Sequence, residues 1–128
     1  HVVVIDDSLV RGTSSKAIIK ALRRAGAKKI SMVITYPPIK FPCYAGIDFP
    51  SQEELATFSN GKDMTTEETI EMVRQSIGAD FLGYNDAENL AEAVGIPKDS
   101  MCFTCSTGNY DSLGITPKFR SRIEMKGE

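Results

Sequence analysis

The chain has 128 residues, of which 41% are hydrophobic and 25% are charged, and its formal net charge is −2. This length suits one modest domain with a buried core, and a charge near zero does not favour a nucleic-acid or membrane-surface partner. No apolar run approaches the ~18 residues that a membrane span needs, and the first residues lack a secretory signal pattern. We therefore expect a cytoplasmic protein with no nucleic-acid or membrane partner.

The apolar run Val2-Val3-Val4-Ile5 follows His1 directly and predicts a strand over residues 2–6. Continuous apolar runs are typical of parallel strands that are buried on both faces. Because an unpaired edge of this kind is unfavourable, we expect further strands to come from elsewhere and the chain to be a piece of a longer protein. The alternative is a mature chain whose edge strand is apolar.

A helix and a second strand follow the first strand. The helix is predicted over residues 14–25, with Thr13 or Ser14 as its cap and Gly26 in the left-handed position that ends it. Its apolar residues repeat at helical spacing: Ala17, Ile18, Ala21, Leu22 and Ala25. The second strand is predicted over residues 30–36. The pattern indicates a right-handed β-α-β unit with parallel strands, and therefore an α/β fold.

Residues 37–50 contain four prolines, which predicts a loop. A capping-box pattern, Ser51-x-x-Glu54, predicts a short helix that contains Leu55 and Ala56.

A second box, Thr65-x-x-Glu68, predicts a clearer helix that ends at Gly78 and has Ile70, Val73 and Ile77 facing inward. A short strand is predicted over residues 81–84, and Asp86 should cap a helix that continues to Val94. We assign residues 1–84 to the sheet core and residues 85–128 to a C-terminal helix, a cysteine-containing segment and a basic tail.

The loop after the first strand contains the chemistry of a phosphate and polyol site. Asp6 and Asp7 stand at the carboxyl end of the strand, where ligands of open α/β sheets bind. A small-residue loop then leads into a helix N-terminus, which attracts anions. Gly12 permits close approach of the backbone, and the side chains that suit phosphate are Ser8, Arg11, Thr13, Ser14 and Ser15. The two carboxylates suit ribose hydroxyls or a hydrated Mg²⁺ ion.

Three other interpretations of this loop are possible. The Gly-x-x-x-x-Gly-Lys pattern of a Walker A loop and the Gly-x-Gly-x-x-Gly dinucleotide fingerprint are both absent. A capped helix after a polar turn is the third interpretation, since Ser and Thr are common at helix starts. The adjacent acids at a strand end, followed by residues 11–15, favour a ligand site over this last alternative.

The run of residues 3–15 resembles the binding motif for 5-phosphoribosyl-1-pyrophosphate (PRPP) of type I phosphoribosyltransferases. Its longer form is most similar to that of the glutamine-dependent amidophosphoribosyltransferase family. Further similar segments follow in the family's order: Pro37-Pro38, residues 42–48, Glu53-Glu54-Leu55, residues 77–80, and Cys102-Phe103-Thr104-Cys105 with residues 107–110. The resemblance covers residues 2 to about 112, with an insertion around residues 60–64.

This resemblance implies the C-terminal part of a type I phosphoribosyltransferase fold, a parallel sheet with flanking helices and a C-terminal helical segment. It also implies that Asp6 and Asp7 meet the ribose hydroxyls and Mg²⁺, and that the 5′-phosphate loop comprises Ser8, Arg11, Gly12, Thr13, Ser14 and Ser15. The implied reaction replaces the pyrophosphate of PRPP with glutamine-derived ammonia, the first committed step of purine synthesis. Purine nucleotides as feedback inhibitors and a homo-oligomer are implied as well.

The implied fragment lacks the glutaminase half, the pyrophosphate loop and the flexible active-site loop, so we expect no catalytic residue and little or no activity in this chain. Two alternatives to an amidotransferase stay open. One is a salvage purine or pyrimidine phosphoribosyltransferase, which needs no set of cysteines. The other is a PRPP-sensing regulator without catalysis.

The three cysteines are Cys43, Cys102 and Cys105, an odd number that argues against a closed disulfide framework. The Cys-x-x-Cys spacing lets two thiolates reach one metal centre. Structural zinc, a thioredoxin-like redox pair, an iron–sulfur cluster and simply buried thiols all stay open on the residues alone. The resemblance implies a [4Fe-4S] cluster bound by these three cysteines and by a fourth that lies upstream of this chain. Without the cluster, Cys102 and Cys105 could pair as a disulfide.

Overall fold

The computed structural model describes residues 1–46, 50–117 and 119–120, and places a three-stranded parallel sheet at the centre of the chain. The strands are β1 (Val2–Asp6), β2 (Ile30–Ile34) and β3 (Phe81–Tyr84), in the order β1-β2-β3. The longer helices are α1 (Thr13–Arg24), α2 (Thr66–Ile77) and α3 (Ala87–Val94). The predicted α/β fold with parallel strands is confirmed.

The core lies between the sheet and helices α1 and α2. Its centre is β2, where Ile30, Met32 and Ile34 are fully buried. Continuous burial of this kind is expected for a middle strand of a parallel sheet. Around β2 pack the other members of the core cluster: Leu9, Ile19, Val73, Ile77, Ala79 and Leu82. The prediction that Val73 and Ile77 face inward is confirmed.

Helices α2 and α3 begin and end where their capping residues predict. Thr65 accepts a hydrogen bond from the Glu68 amide at 3.2 Å, and the Glu68 carboxylate accepts one from the Thr65 amide at 2.8 Å. Asp86 accepts from the Asn89 amide at 2.7 Å. Gly78 and Gly95 end the two helices in the left-handed conformation. Local capping chemistry therefore sets the limits of both helices.

The predicted cap of α1 is wrong. Neither Thr13 nor Ser14 caps the helix, because the chain enters it one residue earlier, with Gly12 at the cap position and without a side-chain hydrogen bond. The apolar stripe of the sequence is also not the buried face, since Ser15 and Ile19 are buried while Ile18 is 41% exposed. The predicted end is confirmed by Gly26, which has a φ of 97°.

The second strand and the Ser51 box are shorter than predicted. β2 ends at Ile34, although Thr35 and Tyr36 still donate backbone hydrogen bonds to the β1 end. The Ser51 box opens only a 3-10 turn, Gln52–Glu54, so the helix predicted through residues 55–56 is absent. The reason is tertiary, because Leu55 turns into the interior at 3% exposure and the following amide bonds elsewhere.

One face of β1 stays open to solvent among the described residues. Val3 is 57% exposed and Ile5 is 70% exposed, whereas Val4 packs against the core. β1 lies at the edge of the described sheet, and Phe81, two strands away in register with Val3, is 51% exposed. That further strands pair with β1 stays a prediction.

The cysteine-containing segment is built of short turns. They are 3-10 turns at Lys98–Ser100 and Asp111–Leu113, and between them the four-residue helix α4 (Thr104–Thr107). Of the tail, Lys118 and residues 121–128 lie outside the described residues.

Asp80 ties together the starts of β2 and β3 and the end of α1. One of its carboxylate oxygens accepts hydrogen bonds from the Ile30 amide at 2.6 Å and from the Arg23 guanidinium at 2.5 Å. These two bonds hold the pKa of the Asp80 carboxyl below its usual range, and the bond from the Ile30 amide has the larger effect. The same guanidinium donates to the Lys28 carbonyl at 2.9 Å, so the network closes the turn between α1 and β2.

We expect Asp80→Asn to lower the melting temperature by several degrees and to flatten the acid dependence of stability. Because the folded-state pKa lies below the unfolded value of about 3.9, the charged carboxylate stabilises the fold above that pH, and this stabilisation is lost as the pH falls through the folded-state pKa. Urea unfolding of wild type and variant between pH 3 and pH 6 measures this, with Glu92→Gln on the exposed side of α3 as control. Equal acid dependence in wild type and Asp80→Asn would contradict it.

Candidate functional site

The acidic pair stands at the carboxyl end of β1, next to the end of β2. The Thr35 amide donates to the Asp6 carbonyl and the Tyr36 amide to the Asp7 carbonyl, each at 3.0 Å. These bonds fix the backbone of both acids and leave their carboxylates for other partners. The Asp6 side chain is half-buried and that of Asp7 is exposed, with the Ser8 hydroxyl donating to Asp7 at 2.8 Å. The two predicted ribose ligands therefore lie together at a ligand-binding edge of the sheet.

The predicted phosphate-binding loop, residues 8–15 (the phosphate loop), packs on apolar side chains of the core. Leu9 is 2% exposed, so it anchors the loop in the core. Gly12 has a φ of 76°, and a Cβ atom on it would lie 3.3 Å from Ile77 Cγ2 and 3.6 Å from Ala56 Cβ. Both the backbone conformation and the space therefore require glycine here. The resulting close approach of loop, α2 and residue 56 shapes the start of α1.

The N-terminus of α1 points its first amides out of this loop. The first intrahelical bond is from the Lys16 amide to the Gly12 carbonyl, at 2.9 Å, so the preceding amides have no partner within the helix. The first turn has no acidic residue to compete for them. Thr13 and Ser14 are exposed and offer hydroxyls on the same turn, whereas Ser15 is only 3% exposed. An anion would meet amides, hydroxyls and the positive end of the helix dipole here.

Arg11 lies over the neighbouring turn. Its Nε donates to the Glu54 carboxylate at 3.3 Å, an ion pair with both side chains about half exposed. The hydrogen bond from the Ser51 amide holds the pKa of the Glu54 carboxyl below its usual range, and the charge of Arg11 lowers this pKa further. Arg11 is thus oriented by a residue 43 positions away, and its contact with a phosphate stays a prediction.

Ala56 is a second contact that sequence reasoning missed. Its amide donates to the Val10 carbonyl at 2.8 Å, so residues 51–57 brace the phosphate loop from one side. The capping-box pattern at Ser51 predicted a short helix at this point, and no sequence signal indicated which part of the chain it would contact.

The cysteine turn, residues 102–105, packs against the segment that follows β2. The backbone carbonyl of Cys105 accepts hydrogen bonds from the amides of Lys40 at 2.8 Å and Phe41 at 2.9 Å. Tyr110 reaches the same segment, where its hydroxyl donates to the Pro42 carbonyl at 2.6 Å. The chain just before Cys43 therefore lies against the Cys-x-x-Cys turn.

All three cysteines are free thiols in this structure, and no disulfide joins them. Burial raises the pKa of the Cys105 thiol, and its neighbours Cys43 and Cys102 raise it further. Gly46 leaves room beside Cys43, since a Cβ atom there would lie 3.3 Å from the Cys43 sulfur. Within the described residues, no three His, Cys, Asp or Glu side chains are arranged to hold a single metal ion. The three thiols therefore form no mononuclear metal site in the part of the chain that the structure describes.

Comparison with known proteins supports the resemblance from an independent direction. The amidophosphoribosyltransferase of Mycobacterium leprae is 42% identical over 110 residues, which are 86% of this chain and 19% of that protein. The Bacillus subtilis amidophosphoribosyltransferase is 41% identical over 114 residues, 86% of this chain and 22% of that protein. Over most of its length the chain is therefore homologous to a part of the amidophosphoribosyltransferases. It spans about one fifth of the length of these relatives.

Solved structures of the family have the same fold. The B. subtilis glutamine PRPP amidotransferase complexed with ADP and GMP superimposes with a TM-score of 0.71 at 39% identity, covering 86% of this chain and 23% of that one. A second structure, described as the allosteric regulatory enzyme of purine biosynthesis, gives a TM-score of 0.72 at 38% identity with the same coverage. A comparison with models of protein families gave no match. Among the described residues, no helix is long and apolar enough to cross a membrane.

We expect Gly12→Ala to weaken phosphate binding at the loop. A side chain at a φ of 76° is strained by about 1–2 kcal/mol, and its Cβ must also displace Ile77. The measurement is the dissociation constant for ribose 5-phosphate by calorimetry, with the melting temperature recorded alongside.

Gly95→Ala is the matched control, because Gly95 has a φ of 75° and nothing within 4 Å of the added Cβ. It should lose stability without a change in affinity. Equal effects of the two variants on affinity would contradict a local role of Gly12.

Proposed function

We propose that this chain is the C-terminal part of the phosphoribosyltransferase domain of an enzyme that transfers glutamine-derived ammonia to PRPP, giving 5-phosphoribosylamine. The phosphate loop would hold the ribose 5-phosphate half of PRPP. The observation that carries the proposal is the juxtaposition of the Asp6–Asp7 pair with a helix start that has no acidic residue in its first turn. The start of α1 would bind an anionic group, and the neighbouring carboxylates of Asp6 and Asp7 would bind a polyol.

The chemistry follows from which groups donate and which accept. The 5′-phosphate is an acceptor, so it suits the first amides of α1 and the hydroxyls of Thr13 and Ser14. The ribose hydroxyls are donors, so they suit the carboxylates of Asp6 and Asp7. When bound, Mg²⁺ would supply charge stabilisation for the departing pyrophosphate, and these two carboxylates would help to hold it.

This chain's own contribution is to bind and orient the ribose. Asp6 and Asp7 accept from its hydroxyls and the loop fixes its phosphate, which together set the direction in which C1 faces the incoming ammonia. We assign no catalytic residue to this chain. The glutamine site, the pyrophosphate side, feedback by purine nucleotides and assembly into a homo-oligomer are proposed for the longer protein, as is its cytoplasmic location.

A salvage phosphoribosyltransferase or a PRPP-sensing regulator is the alternative. The first would release pyrophosphate with a nucleobase as acceptor and would not depend on glutamine. The second would bind PRPP without releasing pyrophosphate. The presence of Cys43, Cys102 and Cys105 favours the amidotransferase, because neither alternative needs a set of cysteines.

We expect the full-length protein to release pyrophosphate in a reaction that requires both PRPP and glutamine, and Asp7→Asn to weaken PRPP binding about 10- to 100-fold. A hydrogen bond to a charged group contributes about 1.5–3 kcal/mol, and each 1.4 kcal/mol corresponds to a factor of ten. Coupled pyrophosphate detection measures the reaction, and calorimetry measures the affinity.

Asp99→Asn, on an exposed 3-10 turn, is the control and should behave as wild type. Intact PRPP binding without any pyrophosphate release would refute the enzyme and support a regulator. Release that depends on a nucleobase instead of glutamine would support the salvage enzyme.

We further propose that Cys43, Cys102 and Cys105 are three of the four ligands of a [4Fe-4S] cluster. The support is that the half-buried Cys105 thiol has the other two close enough to raise its pKa, and that none of the three is consumed in a disulfide. A Cys₄ cluster needs one ligand more than this chain contains. The fourth would come from the remainder of the longer protein.

We expect anaerobically purified full-length protein to contain iron and sulfide and to absorb in the blue–brown range, and Cys105→Ser to lose most of this absorbance. Ser106→Ala, which changes the neighbouring residue of the same turn, should keep it. A colourless wild-type protein that contains zinc would refute the cluster.

A further inference from the structure

Tyr36 lies two residues beyond the end of β2, and its side chain reaches the cysteine turn. Its hydroxyl donates to the Cys102 carbonyl at 2.9 Å and lies 3.6 Å from the Cys105 sulfur. Its ring stacks on that of Phe103, with centroids 5.8 Å apart. One side chain thus contacts three of the four residues of the turn.

The backbone of Tyr36 contacts the acidic pair at the end of β1. Its amide donates to the Asp7 carbonyl at 3.0 Å, and the preceding hydroxyl of Thr35 donates to the same carbonyl at 3.3 Å. A single residue therefore bonds to the acidic pair through its main chain and to the cysteine turn through its phenol. Tyr36 and Cys102 lie 66 residues apart in the sequence.

The remaining attachments of the cysteine turn are to the chain just beyond Tyr36. The amides of Lys40 and Phe41 bond to the Cys105 carbonyl, and the Phe41 ring lies 3.0–3.2 Å from where a Cβ on Gly108 would be. These contacts hold the backbone of the turn. The Tyr36 phenol differs from these contacts because it also lies close to a sulfur atom, that of Cys105.

We propose that Tyr36 is a positioning residue whose hydroxyl fixes the cysteine turn and the Cys105 sulfur against the strand end that carries Asp7. The single phenol proton goes to the Cys102 carbonyl in this structure, and the Cys105 thiol can donate to the phenol oxygen. A sulfur that binds metal has no proton, so the phenol would then share its proton between the Cys102 carbonyl and that sulfur. Hydrogen bonds to the sulfurs are one of the factors that set the reduction potential of an iron–sulfur cluster.

The positioning role does not need the cluster, whereas its effect on the reduction potential rests on the proposed function. The test compares the full-length wild-type protein with Tyr36→Phe, which keeps the ring on Phe103 and removes the hydroxyl. The first measurement is hydrogen–deuterium exchange of the peptides that contain residues 40–41 and residues 102–108. The second is the reduction potential of the anaerobically purified protein, followed by its visible absorbance.

We expect Tyr36→Phe to exchange about 2- to 10-fold faster in both peptides, as the loss of one net hydrogen bond predicts, and its potential to be more negative. Tyr84→Phe is the matched control, because the Tyr84 hydroxyl is buried and bonds to no described group; it should leave both peptides unchanged.

Wild-type exchange rates in Tyr36→Phe would overturn the proposal, as would equal acceleration in both variants. If the wild-type protein proves to contain no iron, the cluster proposal fails, and faster exchange in Tyr36→Phe alone would still support the positioning role.

Discussion

The parallel pairing of β1 with β2 is the constraint on which the site depends. Because the two strands run in the same direction, their carboxyl ends meet at one edge, and the amides of Thr35 and Tyr36 extend the ladder to the carbonyls of Asp6 and Asp7. The acids are thereby held on main-chain bonds while their carboxylates stay available. The phosphate loop follows β1 along the chain. The segment that follows β2 forms hydrogen bonds to the cysteine turn.

The phosphate loop is shaped by packing that is distant in sequence. Leu9 anchors it in the core, Gly12 lies against Ile77 of α2, and the Val10 carbonyl is bonded to the Ala56 amide. The loop thus owes its conformation to three separate parts of the chain. A ligand would find its donors already oriented, which lowers the entropic cost of binding.

Much of the fold could be predicted from local patterns. The strand at residues 2–6, the helix that Thr65 caps and the strand at residues 81–84 follow from hydrophobic periodicity and capping residues, and the structure confirms them. The acidic pair at a strand end was equally visible, because it depends only on neighbours in sequence.

The pairing of Arg11 with Glu54 and of Tyr36 with the cysteine turn could not be predicted, since the partners lie 43 and 66 residues apart. The prediction of a helix after Ser51 was wrong because it also depended on contacts with residues that are distant in sequence. Burial of Leu55 and the bond from Ala56 to the loop overrode a sound local capping pattern. The cap of α1 was wrong because both Thr13 and Ser14 suit a cap by residue type, whereas the space beside Ile77 and the left-handed backbone reserve that position for Gly12.

The most direct test of the account is a crystal structure of the full-length protein with ribose 5-phosphate. We expect the phosphate oxygens within hydrogen-bonding distance of the first amides of α1 and the Thr13 and Ser14 hydroxyls, and the ribose hydroxyls on the carboxylates of Asp6 and Asp7. A ligand bound elsewhere, or one whose phosphate lies away from the start of α1, would contradict it.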